Sequence, residues 1–534
     1  MAQTFAFPLT LNHVLETGLA RAGAHRIHGA DGTSRSYPEF AARVARFGAA
    51  LAGMGLRPGA VIGMLDFDTP AYLEAFFAVP MSGAVLHTIN LRLSPEQLVY
   101  TINHAEDDVL IVNRALAPLL AAVWDELRPG MQLVFLGEGD TGGLPDGIDF
   151  EDWLAAGDPA HVFPDLPEDS EATLFYTTGT TGLPKGVHFT QRQLVLHTFA
   201  LAAVFGSAPH GSFGPSDVYL PLTPMFHVHA WGLPYLATML GVTQVYPGRF
   251  QPDVTLGLLR THGVTFTHCV PTILQMLMQE AGEDRTALQG LKMIIGGSAL
   301  PQTLARAAMD RGVDIFTGYG MSETGPVLTL ALLTPEELAR PVEEQVTRRV
   351  LTGRTIPFVS IRVVTPEMED VPHDGKTAGE VVVRAPWLTA DYLKNAEASE
   401  DLWAGGWLHT GDIAVMHADG MLQITDRLKD VIKTGGEWVS SLALEDMLRP
   451  HPSVRDVAVV AVPDAKWGER PLAVVVPSEG GLDVAALKAE LQKHVDKGDL
   501  PRFGIPERFE AIDDLPKTSV GKIDKKVLRA RFAA

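Results

Sequence analysis

The stretch YTTGTTGLPKGV, residues 176–187, puts three glycines, four threonine hydroxyls and one lysine into a short turn that follows a strand-like run. Such a loop can wrap a phosphate. Gly179, Gly182 and Gly186 let backbone N–H groups approach the oxygens. Thr177, Thr178, Thr180 and Thr181 add donors or a metal ligand, and Lys185 adds a charge. It is not a Walker A loop, which needs G-x-x-x-x-G-K-[ST], whereas Lys185 stands between Pro184 and Gly186. A generic loop of Gly and Thr is more often only a connection; the whole twelve-residue string makes phosphate binding the stronger reading.

A loop of this kind needs a sheet behind it, and the flanking pattern supplies one. Residues 41–55 carry apolar positions at helical spacing, 61–66 read as a short buried strand and 71–79 as another helix. Strand-like runs at 109–112 and 132–136 alternate with helical stretches, the pattern of an α/β layered sheet. No fixed-period repeat is present, which disfavours a solenoid. Between 355 and 384 the pattern changes to short β-branched runs, 359–364 and 379–383, suggesting a smaller β-rich unit that closes the large domain. Near the C-terminus, 454–462 and 471–476 read as strands joined by PDAKWGER, and 484–495 is amphipathic, so a small α+β domain is expected beyond a boundary within 426–433.

Composition narrows the function. The chain has 534 residues, 46% hydrophobic and 20% charged, which suits several compact units with sizeable cores and excludes a disordered chain or one small module. With 43 Lys plus Arg against 64 Asp plus Glu, the formal charge of −21 repels phosphate backbones, so nucleic acid is not expected as a partner. A bound polyphosphate must rely on local donors or a metal ion. The single cysteine, Cys269, cannot form an internal disulfide and fits a reducing compartment. The N-terminal segment does not read as a secretory signal, and no run of about 18 apolar residues is present to span a bilayer. A soluble cytoplasmic protein is expected.

The loop resembles the phosphate loop of the AMP-forming acyl-CoA synthetase, adenylation domain and luciferase superfamily, and the resemblance extends across essentially the whole chain. Four further strings stand in the family's order: GYGMSETGP at 318–326, WLHTGD at 407–412, DRLKDVIKTGGEW at 426–438 and PKTSVGKIDKKVLR at 516–529. The resemblance implies a large N-terminal α/β domain of several subdomains, residues 1–428, and a small mobile C-terminal α+β domain, residues 429–534, hinged at Lys429. It also implies roles. Glu323 is an anionic oxygen ligand of the kind Mg²⁺ prefers, shared in the family with the first loop threonine, here Thr177. Gly297, Ser298 and Ala299, with Gly318, Tyr319, Gly320, Met321 and Ser322, would line the adenine, Tyr319 offering an aromatic face. Ser322 replaces the family's usual Thr and keeps the hydroxyl. Asp412 can accept two hydrogen bonds from the ribose hydroxyls, and Arg427 resembles the second ribose and phosphate contact. Lys522 resembles the lysine that bridges the attacking carboxylate and the α-phosphate during adenylation. Gly435 and Gly436, followed by Trp438, resemble the turn bordering the pantetheine channel. Taken singly, Glu323, Lys429 and Lys522 would read as solvated charges and Tyr319 as packing; only the surrounding strings change that.

The implied reaction has two halves. A carboxylate attacks MgATP to give acyl-AMP and pyrophosphate, and the CoA thiol then expels AMP. The segment PMFHVHAWGLPYLATML, 224–240, occupies the family's acyl-pocket position. Where amino-acid adenylation domains have Asp after this Phe, the chain has His227, which disfavours an amino acid. Trp231 matches a Trp that gates an alkyl tunnel in fatty acyl-CoA synthetases, with Gly297 and Gly320 nearby in the family's site; its alternative reading is a core aromatic. His227 and His229 either contact the acyl-adenylate or are satisfied buried histidines. With no charge in the segment, an alkyl or aryl acid is favoured, and a medium- or long-chain fatty acid is the expected substrate. An aromatic or short thioether acid fits the same string. A carrier-protein pantetheine as acceptor and a degenerate acyl- or nucleotide-binding protein are the competing readings; fatty acyl relatives imply a homodimer. VRAPWLTADYLKN, 383–395, departs from the family at Ala385 and in its ADY element, so Arg384 and Tyr392 are given only a structural role.

Overall fold

The computed structural model describes residues 7–177, 183–434, 437–478, 480–497, 500–517 and 523–532. By internal contact the chain forms two compact units: Met1–Ser360 with Arg384–Leu402, and Ile361–Val383 with Trp403–Ala534. The architecture is mixed α/β, as the sequence pattern predicts.

Among the described residues of the first unit there are two large sheets. The first has seven strands in the order Ile148–Asp149, Gln132–Leu136, Val109–Asn113, Val61–Leu65, Val85–Thr88, Glu171–Thr177 and Lys185–Thr190. Every pair is parallel except the last, where Glu171–Thr177 and Lys185–Thr190 run antiparallel. Strands buried on both faces must be continuously apolar, and VIGML at Val61–Leu65 is buried at all five positions. The helices predicted at 41–55 and 71–79 are Tyr37–Gly53 and Pro70–Met81, each lengthened by Pro in its first turn and a capping hydroxyl, Ser36 and Thr69. Those caps explain starts earlier than the apolar spacing shows. The second sheet has nine strands, with Val218–Pro221, Phe266–Cys269, Lys292–Ile295 and Asp314–Gly320 parallel neighbours at its centre. Leu220, Leu256, Leu274, Met293, Ile295 and Ile315 are part of the core cluster packed against it.

The second unit contains a four-stranded sheet, Ser360–Val364, Gly379–Arg384, Leu408–Met416 and Leu422–Arg427, and a five-stranded sheet built on the hairpin Val454–Asp464 and Gly468–Pro477. The β-rich stretch thus clusters with the C-terminal segment. The ties are polar, and the one from Asp426 to Ser441 is buried. Asp426 accepts hydrogen bonds from the Ser441 N–H and hydroxyl, Ser440 donates to the Thr425 carbonyl, and Lys525 Nζ reaches Ser441 Oγ at 2.6 Å and Glu445 at 2.7 Å. Arg529 pairs with Asp430.

Candidate active site

The seven-stranded sheet presents both ends of the candidate phosphate loop. Thr177 closes one strand and Lys185 opens the next, and the two are register partners in the antiparallel pair. Thr178, Gly179, Thr180, Thr181 and Gly182 lie outside the described residues. At the base of the loop, Tyr176 Oη is 2.8 Å from His104 Nδ1.

Lys185 is held beside a residue for which sequence reasoning offered only packing. Its Nζ lies 4.5 Å from the centre of the Tyr392 ring, and the Tyr392 hydroxyl donates to Glu323 Oε1 at 2.7 Å. Leu393 N donates to the Gly186 carbonyl at 2.9 Å, tying this segment to the strand after the loop, and Tyr392 N donates to Ser399 Oγ in the helix Ala396–Leu402 at 3.0 Å. Burial, and next the Glu323 charge, raise the phenol pKa above its ordinary value, so Tyr392 stays a donor. Glu323 is 6% exposed and sits in the short turn Ser322–Thr324. Its backbone carbonyl accepts from Thr389 N at 3.0 Å, and Trp387 Nε1 donates to the Thr324 carbonyl at 3.0 Å. A tyrosine therefore spans the lysine of the phosphate loop and the carboxylate expected to hold a metal. Only the ADY string around it could have signalled this, and that string departs from the family.

The Glu323 turn belongs to a hairpin between Asp314–Gly320 and Val327–Leu330. Gly320 is required there because a Cβ would fall 1.8 Å from the Pro326 carbonyl oxygen. Gly318, Tyr319, Gly320, Met321 and Ser322 are all half-buried, whereas Gly297, Ser298 and Ala299 are exposed just beyond the end of strand Lys292–Ile295. Parallel α/β sheets bind ligands at such strand ends.

The acyl segment has an unusual backbone. Val228, His229, Ala230, Trp231 and Gly232 all have positive φ, from 48° to 74°, forming a left-handed turn before the helix Leu233–Leu240. Non-glycine residues there cost about 1–3 kcal/mol each and persist only where the surroundings over-determine them. His229 is fully buried, its ring edge-on to Phe175, Phe76 and Phe189, and neither ring nitrogen has a hydrogen-bond partner among the described residues. Burial, with His197 adding to it, lowers its pKa to about 3. His227 is half-buried. The Trp231 ring lies 5.0 Å from that of His268 and against Gly296, where a Cβ would meet Trp231 Cη2 at 2.8 Å. Cys269 is buried and its thiol pKa is raised, the state of a structural cysteine.

In the second unit, Asp412 and Arg427 are register partners on adjacent strands, with Arg427 Nε 3.4 Å from Asp412 Oδ1. Asp412 is buried and Arg427 exposed, so the carboxylate is fixed while the guanidinium reaches out. Lys429 is exposed two residues further on. Gly435, Gly436 and Lys522 lie outside the described residues, and Trp438 is described only as a backbone position paired with Lys433.

An antiparallel strand pair flanking residues 178–182, a buried carboxylate linked to Lys185 through a tyrosine, and an uncharged segment near open strand ends suit an adenylate-forming enzyme. Residues 16–393 match the AMP-binding enzyme family and residues 443–522 the AMP-binding enzyme C-terminal domain, and the chain belongs to that family. Its class is that of the AMP-forming acid–thiol ligases, which take ATP and CoA as substrates. A long-chain-fatty-acid–CoA ligase of Thermus thermophilus is 41% identical over 95% of this chain and 92% of its own length. A 3-methylmercaptopropionyl-CoA ligase of Ruegeria lacuscaerulensis is 39% identical over 94% and 92%. Among solved structures, the anthranilate CoA ligase AuaEII in complex with anthranoyl-AMP superposes with a TM-score of 0.85 at 25% identity, covering 98% of both chains. No helix among the described residues is long and apolar enough to cross a membrane.

Proposed function

We propose that the protein joins a medium- or long-chain fatty acid to CoA through a fatty acyl-adenylate, serving fatty acid metabolism in the cytoplasm as a homodimer. The observation that carries the two-step chemistry is the Lys185–Tyr392–Glu323 arrangement at the foot of the phosphate loop. In the first half, backbone N–H groups and threonines of residues 177–182 wrap the ATP phosphates while Lys185 balances their charge. Thr177 and Glu323 are hard oxygen donors, and no group of three or more His, Cys, Asp or Glu side chains able to hold a metal occurs among the described residues. That donor set suits Mg²⁺, which keeps waters and takes one or two protein ligands plus phosphate oxygens. Bound there, Mg²⁺ would neutralise charge gathering on the phosphates. Gly297, Ser298 and Ala299 with Gly318 to Ser322 receive the adenine, Asp412 and Arg427 the ribose, and Lys522 the attacking carboxylate and α-phosphate. In the second half, a C-terminal domain of residues 429–534 turns about Lys429 and brings Gly435, Gly436 and Trp438 to the pantetheine, because two geometries must share one site.

The absence of charge from residues 224–240 and the fatty-acid ligases among the relatives favour an alkyl acid, with His227 and Trp231 beside it. AMP and pyrophosphate release should be measured with MgATP, CoA and straight-chain acids from acetate to palmitate, alongside benzoate, cinnamate, 3-methylmercaptopropionate and amino acids. A CoA-dependent maximum at medium or long chains is expected. A maximum at short, aromatic or thioether acids would overturn the substrate assignment and keep the chemistry. Acyl transfer to a carrier-protein pantetheine in preference to CoA would overturn the acceptor.

A further inference from the structure

Asp68 is a buried acid for which the two-step chemistry has no use. It stands just past strand Val61–Leu65, at the carboxyl end of the seven-stranded sheet, and is 8% exposed. Its side chain reaches the acyl segment: Oδ1 accepts the Met225 N–H at 2.6 Å. Its backbone carbonyl accepts the Gly248 N–H at 2.8 Å. One strand away, Thr88 Oγ1 donates to the Phe226 carbonyl at 3.0 Å. Met225 and Phe226 are therefore gripped through their main chain from the ends of two strands, immediately before His227 and the left-handed turn.

We propose that Asp68 is a positioning residue for acid recognition, holding Met225 so that the turn from Val228 to Gly232 carries His227 and Trp231 into place. The proposal rests on the reading of residues 224–240 as the acid site. A run of five positive-φ residues, four of them non-glycine, is disfavoured on its own and needs fixed anchors. A carboxylate aimed at a backbone N–H is among the stronger anchors available. Around Asp68 stand Asp66 on the same strand end, Arg92, whose guanidinium lies 6.0 Å from the centre of the Phe226 ring, and the phenols of Tyr72, Tyr219 and Tyr246. Burial pushes the Asp68 carboxyl up to about 7, against the pull of the Met225 N–H, with Asp66 adding to the rise and Arg92 opposing it. The grip tightens as the carboxylate ionises, so it strengthens as pH rises through that value.

The test uses ATP–pyrophosphate exchange without CoA, between pH 6 and 9, on the full chain and on its Asp68→Asn, Asp68→Ala and Trp231→Ala variants. In the unchanged protein KM for the acid should fall as pH rises through about 7. Asp68→Ala should raise KM for the acid about tenfold, the size of one hydrogen bond to a charged group, with KM for ATP nearly unchanged. Asp68→Asn keeps an acceptor oxygen and the volume, so it should fold and should flatten the pH dependence; it decides the matter if the alanine variant does not fold. Persistence of the wild-type pH dependence in Asp68→Asn, or KM for acid and ATP rising together, would overturn the proposal. Trp231→Ala separates the two readings. If it shifts KM for the acid while the Asp68 variants do not, Asp68 alone loses its role; if it leaves KM for the acid unmoved, the acid-site reading falls and takes this proposal with it.

Discussion

Replacing Tyr392 with phenylalanine deletes a single oxygen and keeps the ring against Lys185. What is lost is the donor 2.7 Å from Glu323 Oε1. The turn that carries Glu323 should survive, since Thr389 N, Thr324 Oγ1 and Trp387 Nε1 all bond it independently of the hydroxyl. The carboxylate, however, stays buried with one donor fewer. A hydrogen bond to a charged group contributes about 1.5–3 kcal/mol net, and about 1.4 kcal/mol is tenfold in rate. Acyl-adenylate formation should therefore fall roughly 10- to 100-fold in kcat/KM, read by ATP–pyrophosphate exchange. Consumption of preformed acyl-adenylate by CoA involves no pyrophosphate and should change little. Tyr392→Leu removes the ring as well; a cation–π contact is worth about 0.5–2 kcal/mol, so KM for ATP should rise further. The unchanged protein should show no alkaline loss of exchange near the ordinary tyrosine pKa, because the phenol pKa is raised. Exchange in Tyr392→Phe within about twofold of wild type would mean that the Tyr392 hydroxyl does not support Glu323 in adenylation. So would an equal fall in both half-reactions, the mark of general structural damage.

Other expectations follow from the same packing. Gly296→Ala puts a methyl 2.8 Å from the Trp231 ring and 3.0 Å from the Gly318 carbonyl oxygen, so acid preference should move toward shorter chains in a substrate panel, with some loss of stability. Gly320→Ala meets the Pro326 carbonyl, a backbone atom that cannot tilt, and should cost about 3 kcal/mol or more in denaturant unfolding. His197, His229 and His268 are buried with pKa values lowered to about 3, so the unfolded chain binds their protons first. Stability should therefore fall as pH drops below the ordinary histidine value, by about 2 kcal/mol per imidazole at pH 5; His229→Leu should flatten that slope by about one proton in urea titrations. Asp66 and Asp68 act in the opposite sense, because pKa values raised to about 6 and about 7 favour the protonated folded form. Their contribution is lost as pH rises through those values, and Asp68→Asn should gain stability on the wild type at pH 8 but not at pH 4.

How far the sequence could be read depends on how local each feature is. The strand Val61–Leu65 is five apolar residues in a row, and the loop after Thr177 lies between two strands that pair with each other, so both are legible from neighbours in the chain. The C-terminal hairpin was readable for the same reason: Asp464 and Gly468 are register partners across its short turn. The grouping of the β-rich stretch with the C-terminal segment was not, because it depends on Asp426 meeting Ser441 and on Thr425 meeting Ser440, contacts spanning 15 residues that carry no periodicity.

The acid site shows the same division more sharply. Its segment is recognisable by composition, since a run of 17 residues without charge is easy to see. Its conformation is not, because a left-handed turn through Val228 and Trp231 contradicts the local preference of those residues and must be imposed from outside. The groups placed to impose it, Asp68 and Thr88, lie 157 and 138 residues from the atoms they bind. Tyr392 stands in the same relation to Glu323, 69 residues away. Residues that touch substrate cluster in strings because one loop must present several of them at once. Residues that hold those loops need only arrive at one atom, from anywhere in the fold, and a single Asp or Tyr between ordinary neighbours leaves no pattern to find.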